Sequence, residues 1–302
     1  MRMKMKNKNT LLVGLLCILL SACSTTKNLP EGEILYTGID KLEVVNEDKT
    51  LAGVTALTEV EAALAYAPNN AIFGSSSLRW PIPFGLWVYN GFEKYQDKKG
   101  VGRWIFDHLG KSPVLMSSVN GETRAKVATN LLRDYGYFNG SVSYQEVPQK
   151  NPKEAKVSYV IDMAQPYFLD SIAYLRYPHY ADSLIRSTHS QSVLKSGENF
   201  SVLKLEEERQ RLSSLFRNHG YYYYRPEFTT YRADTLQKPG YVSLQVVPRN
   251  GVPTEARKQY YIGKTSVYLT GYNDEPPTDT LRLRTMDIYY KGKKPGIRPS
   301  AL

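Results

Sequence analysis

The sequence predicts an α+β chain built from tandem β-α-α-β-β repeats, of which the first carries a long insertion and the third is incomplete. Two observations predict this class. Residues 131–138 and 215–222 are versions of one another, each reading as a helix end, a glycine and an aromatic strand, 84 residues apart. Helical and strand periodicities then follow in the same order around both copies. Self-similarity at a fixed spacing indicates a duplicated element, and arrays of small repeats commonly present extended surfaces to partners.

The first 22 residues have the pattern of a lipoprotein signal peptide. Four basic residues precede an apolar run, Leu11 to Leu20, that is shorter than the roughly 20 residues of a bilayer span. The run ends in Leu-Ser-Ala-Cys, which resembles a bacterial lipobox, so we expect Cys23 to be lipidated and to begin the mature chain. The alternative is an ordinary signal with a chance cysteine. Residues 23–33, which lack apolar periodicity, are predicted to form a tether.

Cysteine content and charge exclude several classes of protein. The only other cysteine, Cys17, lies in the signal, so the mature chain has neither a disulfide nor a thiol pair for a metal. The formal charge of +10 falls to +6 without the four leader residues, and the remaining basic residues are scattered. We therefore expect no nucleic-acid partner, while a mild attraction to anionic headgroups stays open.

The first repeat is predicted over residues 34–164. Strand material at residues 34–45 precedes an alanine- and leucine-rich helix at 57–67, and a second helix carries an apolar stripe that includes Val127, Leu131 and Tyr135. Alternating residues near 142–144 and 157–161 then predict an antiparallel pair of strands.

An insertion at residues 68–120 interrupts this repeat. It contains all three tryptophans, Trp80, Trp87 and Trp104, and closely spaced prolines that exclude a central strand or a long helix. Two interpretations stay open: the insertion folds over its own repeat, or it forms a partner-facing or membrane-proximal surface.

The second repeat is predicted over residues 165–250, with an opening strand at 167–175, helices at 182–190 and 202–219, and a closing strand near 242–246. Tyr221–Tyr224 are predicted as a strand, in which packing on alternate faces would explain the four tyrosines without a ligand. A third repeat opens within residues 258–302 and is not completed. We therefore expect a fragment of a longer protein or a truncated reading frame.

Glycine follows the last helix of both complete repeats, at Gly136 and Gly220. An abrupt reversal after a helix favours a left-handed backbone, which glycine adopts without a steric penalty from Cβ. We predict both as structural turns.

Catalytic chemistry finds no support in the sequence. No histidine pair has the spacing of a zinc hydrolase, and no serine stands in a Gly-x-Ser-x-Gly motif. Glu206–Glu208 is predicted to be a solvated helical run. We therefore expect no enzyme activity, catalytic residue, cofactor or metal.

The repeat order, with a glycine-aromatic turn after its second helix, resembles the polypeptide-transport-associated (POTRA) domain. Further motifs resemble the lipoprotein form, TamL, of the BamA/TamA family of outer-membrane assembly proteins, found in Bacteroidetes. They are Cys23–Lys27, Leu29–Glu33, Asn69–Asn70, Phe73–Ser75, Gly102–Ile105 and Gly110–Leu115. The chain is similar to the N-terminal, POTRA-containing part of these proteins.

This resemblance implies a lipid anchor at Cys23 in the outer membrane, with soluble repeats in the periplasm. It implies unfolded outer-membrane proteins and assembly-module subunits as partners. Small sheets with open edges can accept an extended chain by β-augmentation, which demands little of the partner's sequence. The alternative function is a surface lipoprotein that binds glycans or nutrients through the tryptophan-rich insertion.

Overall fold

The computed structural model describes residues 25–270 and 276–301. The predicted signal peptide and Cys23 lie outside the described residues. The chain folds into two compact units. Unit one takes the residues up to Ile172 with Leu194–Leu205 and Ala233–Leu244, and unit two takes Ala173–Val193, Glu206–Arg232 and Gln245–Leu302. The word "repeat" denotes the predicted sequence copies, and "unit" denotes these compact bodies.

The first repeat has the predicted order of elements, with helices of the insertion between its two main helices. In chain order the elements are β1 (Leu35–Val45), α1 (Leu51–Leu64), α2 (Phe84–Phe92), α3 (Val101–Leu109), α4 (Met116–Val119), α5 (Gly121–Asp134), β2 (Ser141–Pro148) and β3 (Glu154–Asp162). The strands form a sheet in the order β1-β3-β2, in which β1 is parallel and β2 antiparallel to β3. The predicted antiparallel pair is confirmed.

The core of this repeat lies between the sheet and the helices α1 and α5. Leu64 of α1 and Leu132 of α5 are both fully buried, and they belong to one cluster with the β3 residues Val157, Tyr159 and Ile161. The cluster follows from the sequence because apolar residues recur every three or four positions on the helices and every second position on β3. Removing a side chain such as that of Leu132 would cost about 2–5 kcal/mol.

The second repeat contains β4 (Phe168–Tyr174), α6 (His179–Ser187), α7 (Val202–Asn218), β5 (Thr229–Asp234) and β6 (Tyr241–Pro248). Its sheet has the order β4-β6-β5, which matches the order β1-β3-β2 of the first repeat. The repeated three-stranded sheets with their helices give the α+β class that the sequence predicts.

The glycine turns have the same hydrogen bonds in both repeats. The N–H of Tyr137 donates to the C=O of Leu132 (2.9 Å), and the N–H of Tyr221 donates to the C=O of Phe216 (3.0 Å). Residues 137–140 and 221–225 are turn and loop, so the predicted strand at Tyr221–Tyr224 is wrong. The actual strand, β5, begins eight residues after Tyr221, because this turn must first close.

Turn geometry also corrects the packing expected for the four tyrosines. Tyr221 and Tyr224 are buried, whereas Tyr222 and Tyr223 are 65% and 50% exposed. Residues three apart in a turn share a side, while a strand would bury every second residue. Phe216 packs edge-on against both buried rings, with centroids 5.7 Å and 4.7 Å away.

The prediction of a solvated Glu206–Glu208 run is wrong for Glu208. This residue is 0% exposed, whereas Glu206 and Glu207 are exposed. Glu208 lies on the inner stripe of α7 with Leu205 and Leu212, three and four residues away, both of which are buried.

A third sheet lies in the last part of the chain. It contains β7 (Thr265–Tyr268), β8 (Asp279–Arg282) and β9 (Met286–Tyr290) in the order β7-β9-β8, with β7 parallel and β8 antiparallel to β9. All three strands of this sheet have partners. No helix of the described residues is long and apolar enough to cross a membrane.

Residues 25–33, predicted as a tether, are hydrogen-bonded to the first repeat and its insertion. Thr25 Oγ1 donates to Glu154 Oε1. Asn28 Nδ2 donates to the C=O of Asn90 in α2 (3.2 Å), and Ser117 Oγ donates to Glu33 Oε2 (2.8 Å). Polar side chains without apolar periodicity therefore dock this segment through hydrogen bonds instead of leaving it free.

Candidate interaction surface at the sheet edges

Strand β2 presents main-chain groups along the outer edge of the first sheet. Gln149, just beyond β2, donates its N–H to the C=O of Glu154, which places the odd-numbered residues in the hydrogen-bonded pairs with β3. The N–H and C=O groups of Val142, Tyr144 and Glu146 therefore point away from the sheet. Within the described part of the chain, only the N–H of Val142 has a partner there, Thr129 Oγ1 at 3.0 Å.

The residues of β2 along this edge are accessible to solvent. Residues 143–146 are all exposed. Tyr144 lies over the start of α5, where a Cβ on Gly121 would stand 2.8 Å from its ring. The edge thus runs beside α5, and an added strand would lie along both β2 and this helix.

The opposite edge of the same sheet is covered by the insertion. The N–H of Tyr36 in β1 donates to the C=O of Val114, and the N–H of Met116 donates to the C=O of Ile34, both at 2.8 Å. Farther along β1, Arg79 Nη1 donates to the C=O of Thr37 (3.4 Å). The beginning of β1 is therefore closed to an incoming strand.

Strand β4 of the second repeat is covered in the same way by the segment before α7. The N–H of Gly197 donates to the C=O of Leu169 (2.7 Å), and the N–H of Leu169 donates to the C=O of Glu198 (2.8 Å). Phe168 also pairs with Asn199 in an isolated bridge, as Leu35 pairs with Leu115 in the first repeat. In both repeats the beginning of the first strand is covered, and β2 and β5 form the other edges of their sheets.

The predicted turn glycines lie where each repeat meets the chain that follows it. Gly136 has φ +90° and Gly220 has φ +93°. The C=O of Gly136 accepts from the N–H of Tyr167 (2.9 Å), and the C=O of Gly220 accepts from the N–H of Tyr260 (2.7 Å). A Cβ on Gly136 would stand 2.7 Å from the carbonyl oxygen of Phe200, so a left-handed backbone and a close approach both require glycine.

Glu208 is held in a fully bonded polar cluster. Arg211 donates to it through Nη2 (2.6 Å) and Nε (2.9 Å), and Tyr174 donates its hydroxyl at 2.7 Å. Burial, with the hydrogen bond to Glu208, raises the pKa of Tyr174. Because the carboxylate oxygens are already bonded and enclosed, this cluster suits a structural role.

A cavity of about 290 Å³ lies in unit two. Tyr177, Phe216 and Tyr224 line it, together with Arg249 and Arg257. Apolar walls with guanidinium groups suit an apolar ligand that carries an anion. Sequence reasoning missed the cavity because its lining comes from separate segments that share no motif.

Two of the histidines have local backbone partners. His108 Nδ1 lies 2.9 Å from the C=O of Trp104, and His219 Nδ1 lies 2.8 Å from the C=O of Leu215, each within its own helical turn. Among residues 25–270 and 276–301, no group of three or more His, Cys, Asp and Glu could hold a metal ion.

No protein-family model matches the sequence, and no curated protein matches it significantly. Solved structures similar to the chain include POTRA3-5 of BamA from Haemophilus influenzae, with 9% identity, a TM-score of 0.36 and coverage of 81% of this chain and 75% of that one. POTRA1-3 of the periplasmic domain of Omp85 from Anabaena has 12% identity, a TM-score of 0.30 and coverage of 85% and 74%. POTRA1-2 of the same protein has 15% identity, a TM-score of 0.29 and coverage of 72% and 96%.

Proposed function

We propose that the chain is the periplasmic, client- and partner-binding part of an outer-membrane protein insertion and translocation factor, and that it acts by β-augmentation. The observation that carries this proposal is the open edge of β2, where Tyr144 and Glu146 direct N–H and C=O groups to solvent. A further support is that the beginnings of the first strands of both repeats are covered, which favours the opposite edge for an added strand.

Pairing at such an edge is weak and tolerant of sequence. Each new main-chain hydrogen bond contributes about 0.5–1.5 kcal/mol net, and the few bonds offered by β2 give only modest affinity. Several repeats on one chain raise the effective affinity for a long extended client, because the second contact becomes intramolecular. Weak repeated contacts suit a factor that must hold many different clients and release them.

The location of the chain belongs to the same proposal. The lipobox-like ending at Cys23 supports a lipid anchor in the outer membrane, with the repeats in the periplasm. The motif resemblance to TamL supports assembly-module subunits and unfolded outer-membrane proteins as partners. The predicted boundaries, 34–164, 165–250 and 258–302, define the repeats on this proposal.

A surface lipoprotein that binds glycans or nutrients is the second candidate function. It is favoured by the exposure of Trp80 and Trp104, at 64% and 56%, since exposed indoles stack on sugar rings. Protease added to intact cells separates the two candidates, because it cleaves a surface receptor and leaves periplasmic repeats intact.

The test removes one outward donor of β2 without disturbing its pairing to β3. Glu146→Pro deletes an N–H that points to solvent, and proline is tolerated on edge strands. Glu146→Ala removes the same side chain and keeps the donor. We expect client binding to fall in the proline variant and to be retained in the alanine variant, as measured with an unfolded outer-membrane protein.

Photo-crosslinkers locate the contact independently. A crosslinker at Gln145 on β2 is expected to trap unfolded clients or assembly subunits, whereas one at Thr55, exposed on α1, is the helix-face control. Equal binding by both Glu146 variants, with labelling confined to helix faces, would contradict β-augmentation.

A further inference from the structure

The insertion exposes a set of large apolar side chains, which we call the aromatic surface. Its members come from a hairpin-like segment, residues 70–80, and from α2 and α3: Phe73, Leu78, Trp80, Phe84, Val101 and Trp104. Phe73 is 102% exposed at the tip of the hairpin, beside Gly74. Single exposed apolar residues are ordinary, but this concentration within one insertion indicates an interaction surface.

The helices of the insertion pack through other residues, which leaves the aromatic surface uncovered. Tyr89 of α2 contacts Phe106 of α3, with ring centroids 5.2 Å apart. Val101 and Trp104 lie three residues apart on α3, so they share one exposed side of that helix. The hairpin fixes the backbone position of Trp80, since the backbone N–H of Trp80 donates to the C=O of Asn70 (2.8 Å).

Hydrogen bonds attach the beginning of the described chain to the same insertion. Asn90 of α2, which is 6% exposed, donates Nδ2 to the C=O of Thr25 (3.2 Å). Asn28 donates in return to the C=O of Asn90 (3.2 Å). Two residues of chain separate Thr25 from Cys23, and two residues span at most about 7 Å. An acylated Cys23 would therefore bring the insertion to the lipid surface.

We propose that the aromatic surface docks on the lipid bilayer in which Cys23 is anchored; this rests on the lipid anchor of the proposed function. Tryptophan and phenylalanine suit the boundary between headgroups and acyl chains. Residues 68–120 also carry six Lys and Arg against three Asp and Glu, a balance that suits anionic headgroups. The lipid and the docked surface act as two signals, which hold the first repeat in a fixed orientation.

Tryptophan fluorescence tests the docking directly, because all three tryptophans lie in the insertion. Cys23 is the only cysteine of the mature chain, so it can be coupled to a maleimide lipid in vesicles that contain brominated, partly anionic phospholipid. We expect a blue shift and the loss of roughly half or more of the emission, since two of the three indoles are exposed on the aromatic surface. Emission identical to that of the uncoupled protein would overturn the proposal.

Two variants identify the groups responsible. With Phe73→Ser and Val101→Ser together, all three tryptophans remain as reporters while the aromatic surface loses two exposed apolar side chains, and we expect the quenching to fall markedly. Asn28→Ala and Asn90→Ala together remove both hydrogen bonds between this segment and α2, and we expect the quenching to weaken while the protein stays attached. Unchanged quenching in both variants would exclude the aromatic surface and the docked segment as the cause.

Chemical coupling keeps this test separate from the proposed function. If vesicles fail to quench, docking fails, whether or not cells acylate Cys23. If vesicles quench but the N-terminal peptide from cells carries no acyl chain, the native anchor is absent and the docking proposal falls with it. Quenching that needs an added glycan would instead favour a sugar-binding surface and overturn docking.

Discussion

The glycine turn after α5 gives the sharpest test of how the repeats are held. We consider Gly136→Ala with Gly197→Ala as its matched control, since both glycines have a left-handed backbone, with φ +90° and φ +86°. A Cβ at Gly197 would meet no atom within 4 Å, whereas a Cβ at Gly136 would stand 2.7 Å from the backbone oxygen of Phe200. Comparing the two variants therefore distinguishes the cost of a left-handed backbone from the cost of a steric contact with the Phe200 backbone.

The expected magnitudes follow from these two terms. A left-handed alanine costs about 1–2 kcal/mol, and this term is common to both variants. At Gly136 the backbone of Phe200 must also shift, and the hydrogen bond from Tyr167 to the C=O of Gly136 (2.9 Å) is lost or lengthened. Losing that bond adds about 1 kcal/mol, and the steric shift adds a similar amount, so we expect roughly 3.5 kcal/mol for Gly136→Ala against roughly 1.5 for Gly197→Ala.

Denaturant unfolding measures the two free energies, and amide hydrogen exchange measures the local effect. In Gly136→Ala we expect the Tyr167 amide to exchange at least about tenfold faster than in Gly197→Ala, because the additional loss of about 2 kcal/mol exceeds the roughly 1.4 kcal/mol that corresponds to a factor of ten. Equal loss of stability in the two variants, or unchanged protection of Tyr167, would refute the argument that close approach requires glycine there.

Two further predictions concern buried or bonded carboxylates. Glu208→Ala leaves Arg211 without its carboxylate partner, and we expect it to lower the free energy of unfolding by about 3–5 kcal/mol. Substitution of the exposed Glu207 by alanine should change that free energy by less than about 0.5 kcal/mol. Similar losses for the two variants in denaturant titrations would contradict the pairing of Glu208 with Arg211. Partial burial raises the pKa of Asp48, but the hydrogen bonds from Tyr137 Oη (2.7 Å) and from Thr50 together outweigh burial and hold that pKa below its usual value. The ionised Asp48 therefore stabilises the fold above the unfolded pKa of about 3.9, and this stabilisation is lost as pH falls through the lower pKa of the folded state. We expect Tyr137→Phe to reduce the dependence of stability on acid pH. An unaltered profile of stability against pH would contradict this role of the hydrogen bond.

Sequence reasoning succeeded where a periodic pattern and a packing face coincide. The apolar stripe of α5 and the alternation in β3 face one core, so pattern and structure agree there. The helix predicted at 202–219 matches α7, Val202–Asn218, to within one residue. The repeat order was readable because both copies keep these periodicities at one spacing.

Sequence patterns gave wrong or no predictions where contacts between distant parts of the chain determine the local structure. Consecutive tyrosines have a high preference for strands, yet at Tyr221–Tyr224 the hydrogen bond from Tyr221 to Phe216 closes a turn instead. Glu208 was missed because its partner Tyr174 is distant in sequence, although its place between Leu205 and Leu212 was a signal. The covering of β1 by residues near Val114 has no sequence signature, because it depends on where the insertion returns to the sheet.

The glycine turn and the covered edge of β4 belong to one chain of hydrogen bonds within unit one. Tyr167 donates its N–H to Gly136, and its own C=O accepts from the N–H of Phe200 (2.8 Å). Phe200 ends the segment that covers β4, and its ring also packs against Phe138 of the turn, with centroids 5.0 Å apart. Because the turn holds the covering segment, a side chain at Gly136 would loosen the closure of β4 as well as the junction. Gly136 therefore supports the covering of the beginning of β4 although it lies outside that strand.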